Sequence, residues 1–545
     1  MKIRYFLLIA ICVFQYGIAQ DTNAWFFIRA NEASFEPTFR TEKGELLYVG
    51  NDEILKEAFG GHKVFTFKKT FRRARKENLK KTFFVISEDE SLLEDLLQVA
   101  PHLFGSGELI AAEDKKIFEP NDYGNTSTIG ENIGLPLNLD YYDYMNVPKA
   151  WYYTTGERDI TIGISDGKID PSNIEFKGKT EIFRKSPLAK GHGISVAASA
   201  AAQGDNGYGF PGVCYDCSLN GTSYNNPRDL TQLLELSANG AKVINCSWGS
   251  TTYYQTAQDA INEMFENGTV VVAIQHNRSF SQTKGNVIFY PAGYDNVISI
   301  SSGMHRYDKV TDNIKWDEAS STPYAENIKG YVGRTVGFKN HDTTSTHHIY
   351  EASIRNLNPK VDILGPATGI MRYGEYALHD KIDYSVTSQT SGVAPLISGT
   401  VGLMFSLYPC LPADEVESIL KFTSLNIDHI EANKPFAGYY GSGMLQTGDA
   451  VEMIYQLYSD KEIATIEGQD FSRWDFKLTS LSEGVVMRNQ MFREDAKLHL
   501  KAKNRVVLSQ NTHLKPNANG RISIKIDPSL QKECELRLRD PSIEK

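Results

Sequence analysis

The sequence of 545 residues is short of positive charge, and this shortage excludes two classes of partner. Lys and Arg number 57 against 67 Asp and Glu, which gives a formal net charge of -10 and a pI near 5.7. A general affinity for nucleic acid or anionic membranes usually shows as a basic excess, so we exclude both. The hydrophobic content of 41% and the mean hydropathy of -0.35 instead indicate a globular chain large enough for two to four domains.

Long apolar runs are also scarce. Beyond the N-terminus we find none of the roughly 20 apolar residues that a membrane helix needs, so we expect no membrane span. The N-terminus combines a basic start, an apolar run over residues 6–14, and the small residues Gly17 and Ala19, which is typical of a secretory signal. Cleavage after residue 19 predicts a protein that is secreted, periplasmic or at the cell surface.

The sequence holds only six cysteines, and five remain if Cys12 leaves with the signal. Because five is odd, at least one thiol stays free or pairs between molecules. Cys214 and Cys217 lie three residues apart with no second Cys pair or nearby His to complete a zinc site. In an exported chain this spacing favours a local disulfide, with two free buried thiols and a redox motif as alternatives.

Residues 20–120 show a recognisable order of elements. Strand patterns alternate with two helical patterns, the first capped near Asp52 and ended by Gly60 and Gly61. The order is β-α-β-β-α-β, which is the ferredoxin-like arrangement. The main predicted elements are strands at 25–29, 64–67, 83–87 and 108–112 and a helix at 88–99. The basic run at 68–76 is interpreted as a solvated loop, with a processing site or an acidic-partner patch as alternatives.

Residues 121–460 alternate apolar strands with helical stretches, which predicts a doubly wound, mostly parallel α/β sheet. The clearest strands are 159–165, 242–247, 269–274 and 296–301. A polar stretch at 304–358 is interpreted as a surface insertion; its histidines His341, His347 and His348 lack a strict ligand spacing, so we predict no metal site there. Residues 461–545 alternate short strand patterns with Asn and Gly, which predicts a small all-β domain.

Two polar residues that could take part in catalysis lie at the ends of predicted elements in this α/β region. Asp166 directly follows an apolar strand, at the carboxyl edge where sites form in open α/β sheets. Taken alone, such an Asp is more often a turn cap. His192 lies between Gly191 and Gly193 at the start of a helix of small residues, where the glycines leave the imidazole unobstructed.

Two further segments could supply a nucleophile and an oxyanion donor. Ser391 opens an apolar helix that runs to about residue 407, and the positive end of that helix would stabilise an anion. Asn277 follows a buried strand, and its side-chain amide is a neutral donor. The plain alternatives are an N-cap serine and a turn asparagine.

The order Asp, His, Asn, Ser resembles that of the subtilisin-like serine proteases. The strings around Asp166, His192 and Ser391 are similar to the family's three catalytic motifs, and Asn277 falls on its oxyanion asparagine. The segment Ile244-Asn245-Cys246-Ser247-Trp248-Gly249 resembles the strand that pairs with substrate. The similarity covers residues 148–448.

This resemblance implies a secreted serine endopeptidase that cleaves proteins or peptides. Ser391 would attack with His192 as base and Asp166 orienting it, and Asn277 would bind the oxyanion. The segment of Ser247, Trp248 and Gly249 would bind substrate as an added strand. Residues 20–120 would be an inhibitory pro-region, and no cofactor is expected; calcium is common in the family, but no ligand set is readable.

Several positions depart from the family pattern. His276 and Gln389 replace glycines beside the oxyanion asparagine and before the nucleophile, and Ser195 replaces a second histidine. Bulk at His276 and Gln389 would narrow the entrance or enter the oxyanion site. The alternative function is therefore an impaired subtilisin-like scaffold that binds peptides by strand addition. An ester hydrolase is disfavoured because the Gly-x-Ser-x-Gly elbow is absent.

Overall fold

The computed structural model describes residues 23–42, 45–69, 76–127, 133–186, 191–224, 226–374 and 384–540. The chain divides into two compact units, one over Met1–Lys115 with the last six residues and one over Lys116–Arg539. The expected signal at 1–19 lies outside the described residues, as does most of the basic run at 68–76.

The first unit has the predicted ferredoxin-like topology. Its elements are β1 (Ala24–Ala30), β2 (Phe39–Glu42), β3 (Glu45–Tyr48), α1 (Glu53–Gly60), β4 (Val64–Lys69), α2 (Glu77–Lys80), β5 (Thr82–Ser87), α3 (Ser91–Val99) and β6 (Phe104–Leu109). The antiparallel sheet has the order β4-β5-β1-β6. Asp52 caps α1 through Ile54 and Leu55 as the sequence predicted.

The last strand of this unit begins earlier than predicted. It starts at Phe104, which is buried in the core and pairs with Ala30, and it includes Gly105 and Gly107. Two glycines give this segment little intrinsic strand preference, so pairing with β1 and packing decide its position. The third helix, in contrast, begins later than predicted, at Ser91, after a turn in which Asp89 accepts the Ser91 backbone N–H.

The second unit is built around a seven-stranded sheet. Its elements up to residue 458 are α4 (Asp140–Tyr144), α5 (Val147–Tyr153), β7 (Thr161–Ser165), β8 (Thr180–Ile182), α6 (His192–Ala201), β9 (Ser218–Thr222), α7 (Thr231–Ala238), β10 (Ala241–Cys246), α8 (Gln255–Glu266), β11 (Val270–Ile274), α9 (Phe280–Thr283), β12 (Val297–Gly303), β13 (Ile314–Asp317), β14 (Thr322–Ala325), β15 (Thr335–Val336), β16 (His348–Ile349), β17 (Ile363–Pro366), β18 (Ile370–Tyr373), β19 (Tyr384–Thr387), α10 (Thr390–Leu407), α11 (Ala413–Phe422) and α12 (Thr447–Tyr458). The main sheet has the order β17-β12-β11-β10-β7-β9-β8, and every pair in it is parallel. This confirms the predicted α/β class.

Helix α10 is long and apolar enough to meet the criterion for a membrane span, which corrects the expectation that no segment beyond the N-terminus would do so. By length and composition its 18 residues would suffice to cross a membrane, and among the described helices it is the one that meets this criterion. However, 89% of it is buried inside the protein, where it contacts α6, α12 and four strands of the sheet most closely. An all-round apolar helix of this kind is the core helix of a large α/β domain.

The segment 304–358 is more structured than a surface insertion. Strands β13 to β16 form an antiparallel sheet, and Val332, Ile349, Ile354 and Leu357 join a hydrophobic cluster with the body of the unit. These strands are two to four residues long, too short for an alternation pattern to be read from the sequence.

The all-β C-terminal region is confirmed, but its strands pair in parallel. They are β20 (Ile463–Glu467), β21 (Asp470–Phe471), β22 (Asp475–Ser480), β23 (Gly484–Arg488), β24 (Met491–Glu494), β25 (Lys497–Ala502), β26 (Val506–Leu508), β27 (His513–Pro516) and β28 (Arg521–Ile526). They form three parallel three-stranded sheets, β20-β23-β26, β21-β24-β27 and β22-β25-β28. Successive coils of chain therefore stack as in a solenoid, with Leu478, Leu498 and Leu500 buried inside.

Two disulfides are present among the described residues. Cys214 pairs with Cys217, which confirms the favoured local bridge, and Cys410 pairs with Cys534. Cys246 is free and buried. The second bridge fixes the chain after the solenoid back onto the α/β body, where Arg539 donates to the carbonyl of Trp151.

Candidate active site

Three of the predicted residues follow neighbouring strands of the main sheet. Asp166 follows β7, Ser247 follows β10, and Asn277 lies three residues after the end of β11. These strands are buried and parallel, so their carboxyl ends meet at one edge. The sheet therefore gathers these side chains without any of them being close in sequence.

Asp166 and His192 form a direct contact. Nδ1 of His192 lies 2.7 Å from Oδ1 of Asp166; the carboxylate is buried, whereas the His192 side chain is 32% exposed. Asp166 also accepts the backbone N–H of Gly167. A Cβ on Gly193 would lie 2.4 Å from the Gly167 carbonyl oxygen, so only glycine after His192 lets α6 approach this closely.

Ser391 lies at the start of α10, beside the segment after β10. Its Oγ donates to the Ser247 carbonyl at 3.5 Å, and Oγ of Ser247 donates back to the Ser391 carbonyl at 3.3 Å. Nδ2 of Asn245 in turn donates to Oγ of Ser247 at 3.0 Å. As the second residue of the helix, Ser391 has a backbone N–H without an intrahelical acceptor.

The amide of Asn277 is oriented by Thr390. Its Oδ1 accepts the backbone N–H of Thr390 at 2.8 Å and the Thr390 hydroxyl at 2.9 Å. With the oxygen engaged, the Nδ2 hydrogens are the available donors. Thr390 is buried, so this pair of hydrogen bonds is shielded from water.

Six of the seven predicted site residues line one cavity of about 310 Å³. The seventh, Ser391, borders it through its contacts with Ser247. The lining is Asp166, His192, Tyr224, Ser247, Trp248, Gly249, Ile274, His276 and Asn277. The sequence analysis missed Tyr224 and Ile274. Tyr224 lies two residues after β9, so applying the carboxyl-edge rule to that strand would have found it.

His276 lines this cavity. Its backbone φ is 73°, a left-handed conformation, and its ring stacks on Phe289 at 4.4 Å with an interplanar angle of 6°. A Cβ on Gly249 would lie 3.2 Å from Cβ of Phe289, so Gly249 also packs closely against this ring. Burial lowers the pKa of His276. Gln389 is exposed and does not line the cavity.

Calcium is the metal that the family resemblance suggests. The described residues include no group of three or more His, Cys, Asp or Glu side chains that could hold a metal ion. The buried carboxyls Asp122 and Glu175 instead accept protein donors: Asp122 from the N–H groups of Asp205 and Asn206, and Glu175 from Tyr373 at 2.5 Å. Calcium binding stays a prediction of the resemblance.

Comparisons with known proteins point to one protein family. The subtilase family profile matches residues 157–443, just over half of the chain. Subtilisin DY of Bacillus licheniformis is 25% identical over 54% of this chain and 91% of its own length. Minor extracellular protease Epr of Bacillus subtilis (strain 168) is 23% identical over 45% of this chain and 38% of its own.

A similar solved structure is fervidolysin from Fervidobacterium pennivorans, a keratinolytic enzyme related to subtilisin. It aligns with a TM-score of 0.41 and 16% identity, over 79% of this chain and 61% of its own. This chain therefore spans less than two thirds of the length of fervidolysin and of Epr.

Proposed function

The chain belongs to the subtilase family of serine proteases, and from that premise we propose that it is an exported endopeptidase using Ser391, His192 and Asp166. The observation that carries the proposal is the convergence at one sheet edge. Asp166, His192 and the oriented amide of Asn277 line the cavity, and Ser391 at the start of α10 contacts Ser247 in its wall.

The mechanism follows from the contacts. The Nδ1–H of His192 donates to Asp166, which leaves Nε2 as the base for the Ser391 hydroxyl. The 3.5 Å contact of Ser391 with the Ser247 carbonyl is weak, so the hydroxyl exchanges it for His192 when substrate binds. Ser391 Oγ then bonds to the peptide carbonyl carbon as His192 takes the proton.

The oxyanion formed in this step is bound by two donors. They are Nδ2 of Asn277 and the backbone N–H of Ser391, with the N-terminal end of α10 adding its dipole. His192 returns its proton to the leaving amine, and the acyl-enzyme forms. Water then repeats the sequence, and the peptide acid is released.

The substrates are proteins or peptides, bound as an added strand along Ser247, Trp248 and Gly249. Trp248 is held in place because its indole N–H donates to Oγ of Ser165 at 3.1 Å. Because the imidazole of His276 lines the cavity where a glycine would leave more space, small side chains are favoured before the scissile bond. Relatives that are named extracellular proteases support export, and the ferredoxin-like unit is proposed as a removable inhibitory pro-region.

A fluorophosphonate probe tests the proposal. The matured protein should be labelled at Ser391, as read by mass spectrometry of its peptides, because only an activated serine attacks the probe. Labelling should vanish in Ser391→Ala and fall at least ~100-fold in His192→Ala. Ser388→Ala, three residues away and exposed, is the matched control and should label normally. Failure to label a folded, matured sample would favour the peptide-binding scaffold.

A further inference from the structure

A second cavity, of about 330 Å³, lies beside the candidate active site and contains two arginines that the mechanism does not use. Its charged lining residues are Arg334, Arg355 and Glu326. Gly303, at the end of β12, and Ala367, directly after β17, lie at its base, and segment 304–358 supplies most of its walls. We call it the arginine cavity.

For a peptide bound as proposed above, the arginine cavity would lie on the leaving-group side of the scissile bond. The strand order β17-β12-β11-β10-β7 places Asn277, after β11, between the two cavities. A peptide whose acyl half pairs with the segment after β10 and whose carbonyl oxygen meets Asn277 then continues over the ends of β12 and β17. Residues after the cleaved bond therefore pass the arginine cavity.

Arg355 is at the border between the cavities. Its Nη1 donates to the Asn277 carbonyl at 3.3 Å, and its Nε and Nη2 donate to the Ser388 carbonyl at 3.1 and 2.7 Å. These acceptors are neutral, and no carboxylate within the described part of the chain forms an ion pair with it. Burial lowers the pKa of Arg355, as expected for a cation without a counter-charge. Two of its five N–H groups remain for a ligand.

Arg334 is the second cation, and its position is fixed by two rings. Its guanidinium lies 4.7 Å from the Tyr324 ring centroid and 4.9 Å from that of Tyr350. Its ion pair with Asp317 is long, at 3.5 Å. Glu326 pairs with Lys315 at 2.7 Å, so among the described charged groups of the cavity Arg355 is the one without a compensating ion pair.

We propose that the arginine cavity binds an acidic side chain of the substrate, so that the protease prefers Asp or Glu among the first three residues after the cleaved bond. The proposal rests on the proposed endopeptidase function. A guanidinium binds a carboxylate through paired, charge-assisted hydrogen bonds, and partial burial strengthens them relative to an exposed pair. A carboxylate here would also supply the counter-charge that Arg355 lacks.

Peptide pairs that differ only in Asp against Asn at one of these three positions test the proposal. With the matured full-length protein we expect kcat/KM to be about 10-fold higher for the Asp peptide at one position, equivalent to about 1.4 kcal/mol. Arg334→Gln and Arg355→Gln should each lower this ratio several-fold. Arg355→Gln also loosens the Asn277 and Ser388 segments, but that loss affects both peptides equally, so the ratio isolates specificity.

Arg278→Gln is the matched control. Arg278 is exposed, lies over the Phe289 ring and does not line the arginine cavity, so its loss removes the same charge and should leave the ratio unchanged. If Arg355→Gln fails to fold, Arg334→Gln decides the test.

Two outcomes would overturn the inference. One is a ratio near 1 at all three positions with good cleavage of both peptides, in which case the endopeptidase function stands. The other is a preference that neither arginine variant lowers. If neither peptide is cleaved, the endopeptidase function fails instead. Fluorescence anisotropy with Ser391→Ala then measures the Kd of each peptide of a pair directly. Equal Kd values for the Asp and Asn peptides would then refute the cavity's role.

Discussion

The two hydrogen bonds from Thr390 to Asn277 predict that Thr390→Val slows catalysis. Valine matches threonine in shape, so the buried site keeps its packing while Oδ1 of Asn277 loses the 2.9 Å bond and keeps the 2.8 Å bond to the backbone N–H. A hydrogen bond of this kind contributes about 0.5–1.5 kcal/mol. If that free energy serves to orient Nδ2 towards the oxyanion, kcat should fall about 2- to 13-fold.

The assay is kcat and KM on a neutral peptide substrate, beside the thermal midpoint of each variant. Asn277→Ala should lower kcat by about 100- to 1000-fold, because it removes an oxyanion donor outright. In the double variant Thr390→Val should add nothing further, since no amide remains to be oriented. An unchanged kcat in Thr390→Val, or a loss that persists without Asn277, would refute a positioning role for Thr390.

Three further predictions follow from other parts of the fold. His276→Gly removes the strain of a left-handed backbone, which should stabilise the fold by about 1 kcal/mol. It also removes the ring stacking on Phe289, which should destabilise the fold by a similar free energy, so Tm should change little. Its kcat/KM should rise for peptides with a bulky residue before the scissile bond and stay level for alanine; equal changes for both would contradict the preference for small side chains. Burial raises the pKa of Glu175 to about 8 and that of Asp122 to about 6, so the folded state holds protons that the unfolded chain releases above about pH 4. The free energy of unfolding should therefore fall as pH rises from 5 to 8.5, less steeply in Glu175→Gln; denaturant titrations in EDTA measure this, and a rise with pH would contradict it. Cys410→Ser opens a loop between residues 124 apart and should lower the free energy of unfolding by about 2–5 kcal/mol. Cys214→Ser breaks a bridge between residues only three apart and should lower it much less. Similar losses of Tm in the two variants would contradict this dependence on loop length.

The central strands could be predicted because each is a short, mostly buried segment that contains Val or Ile. Strands β7, β10 and β11 lie within a residue or two of the expected ranges, and the residues after them follow at the sheet edge. Helix α10 was predicted over its full length because its apolar run starts at Thr390 and ends before Pro409. Its roles as a core helix and as the support of Ser391 follow from the same run.

The segment 304–358 and the C-terminal region show where prediction failed. The short strands β13 to β16 form through pairing with one another, and each alone is below the length at which alternation is legible. In the tail, alternation correctly predicted strands, but a period of two is the same for parallel coils and antiparallel hairpins. Only the stacking of Asp475, Lys497 and Arg521 in register distinguishes the two.

The sequence by itself determined the class of fold, the order of its elements and the candidate residues at their ends, because periodicity and end signals are local properties of the chain. Tertiary structure decided which side chains meet: Thr390 with Asn277, His276 with Phe289, and Arg355 with the carbonyls of Asn277 and Ser388. These partners lie between 13 and 113 residues apart, and their contacts arise from the packing of strands and helices around one core. Spacing along the chain carries no information about such contacts, since the free energy that selects them belongs to the whole packed unit.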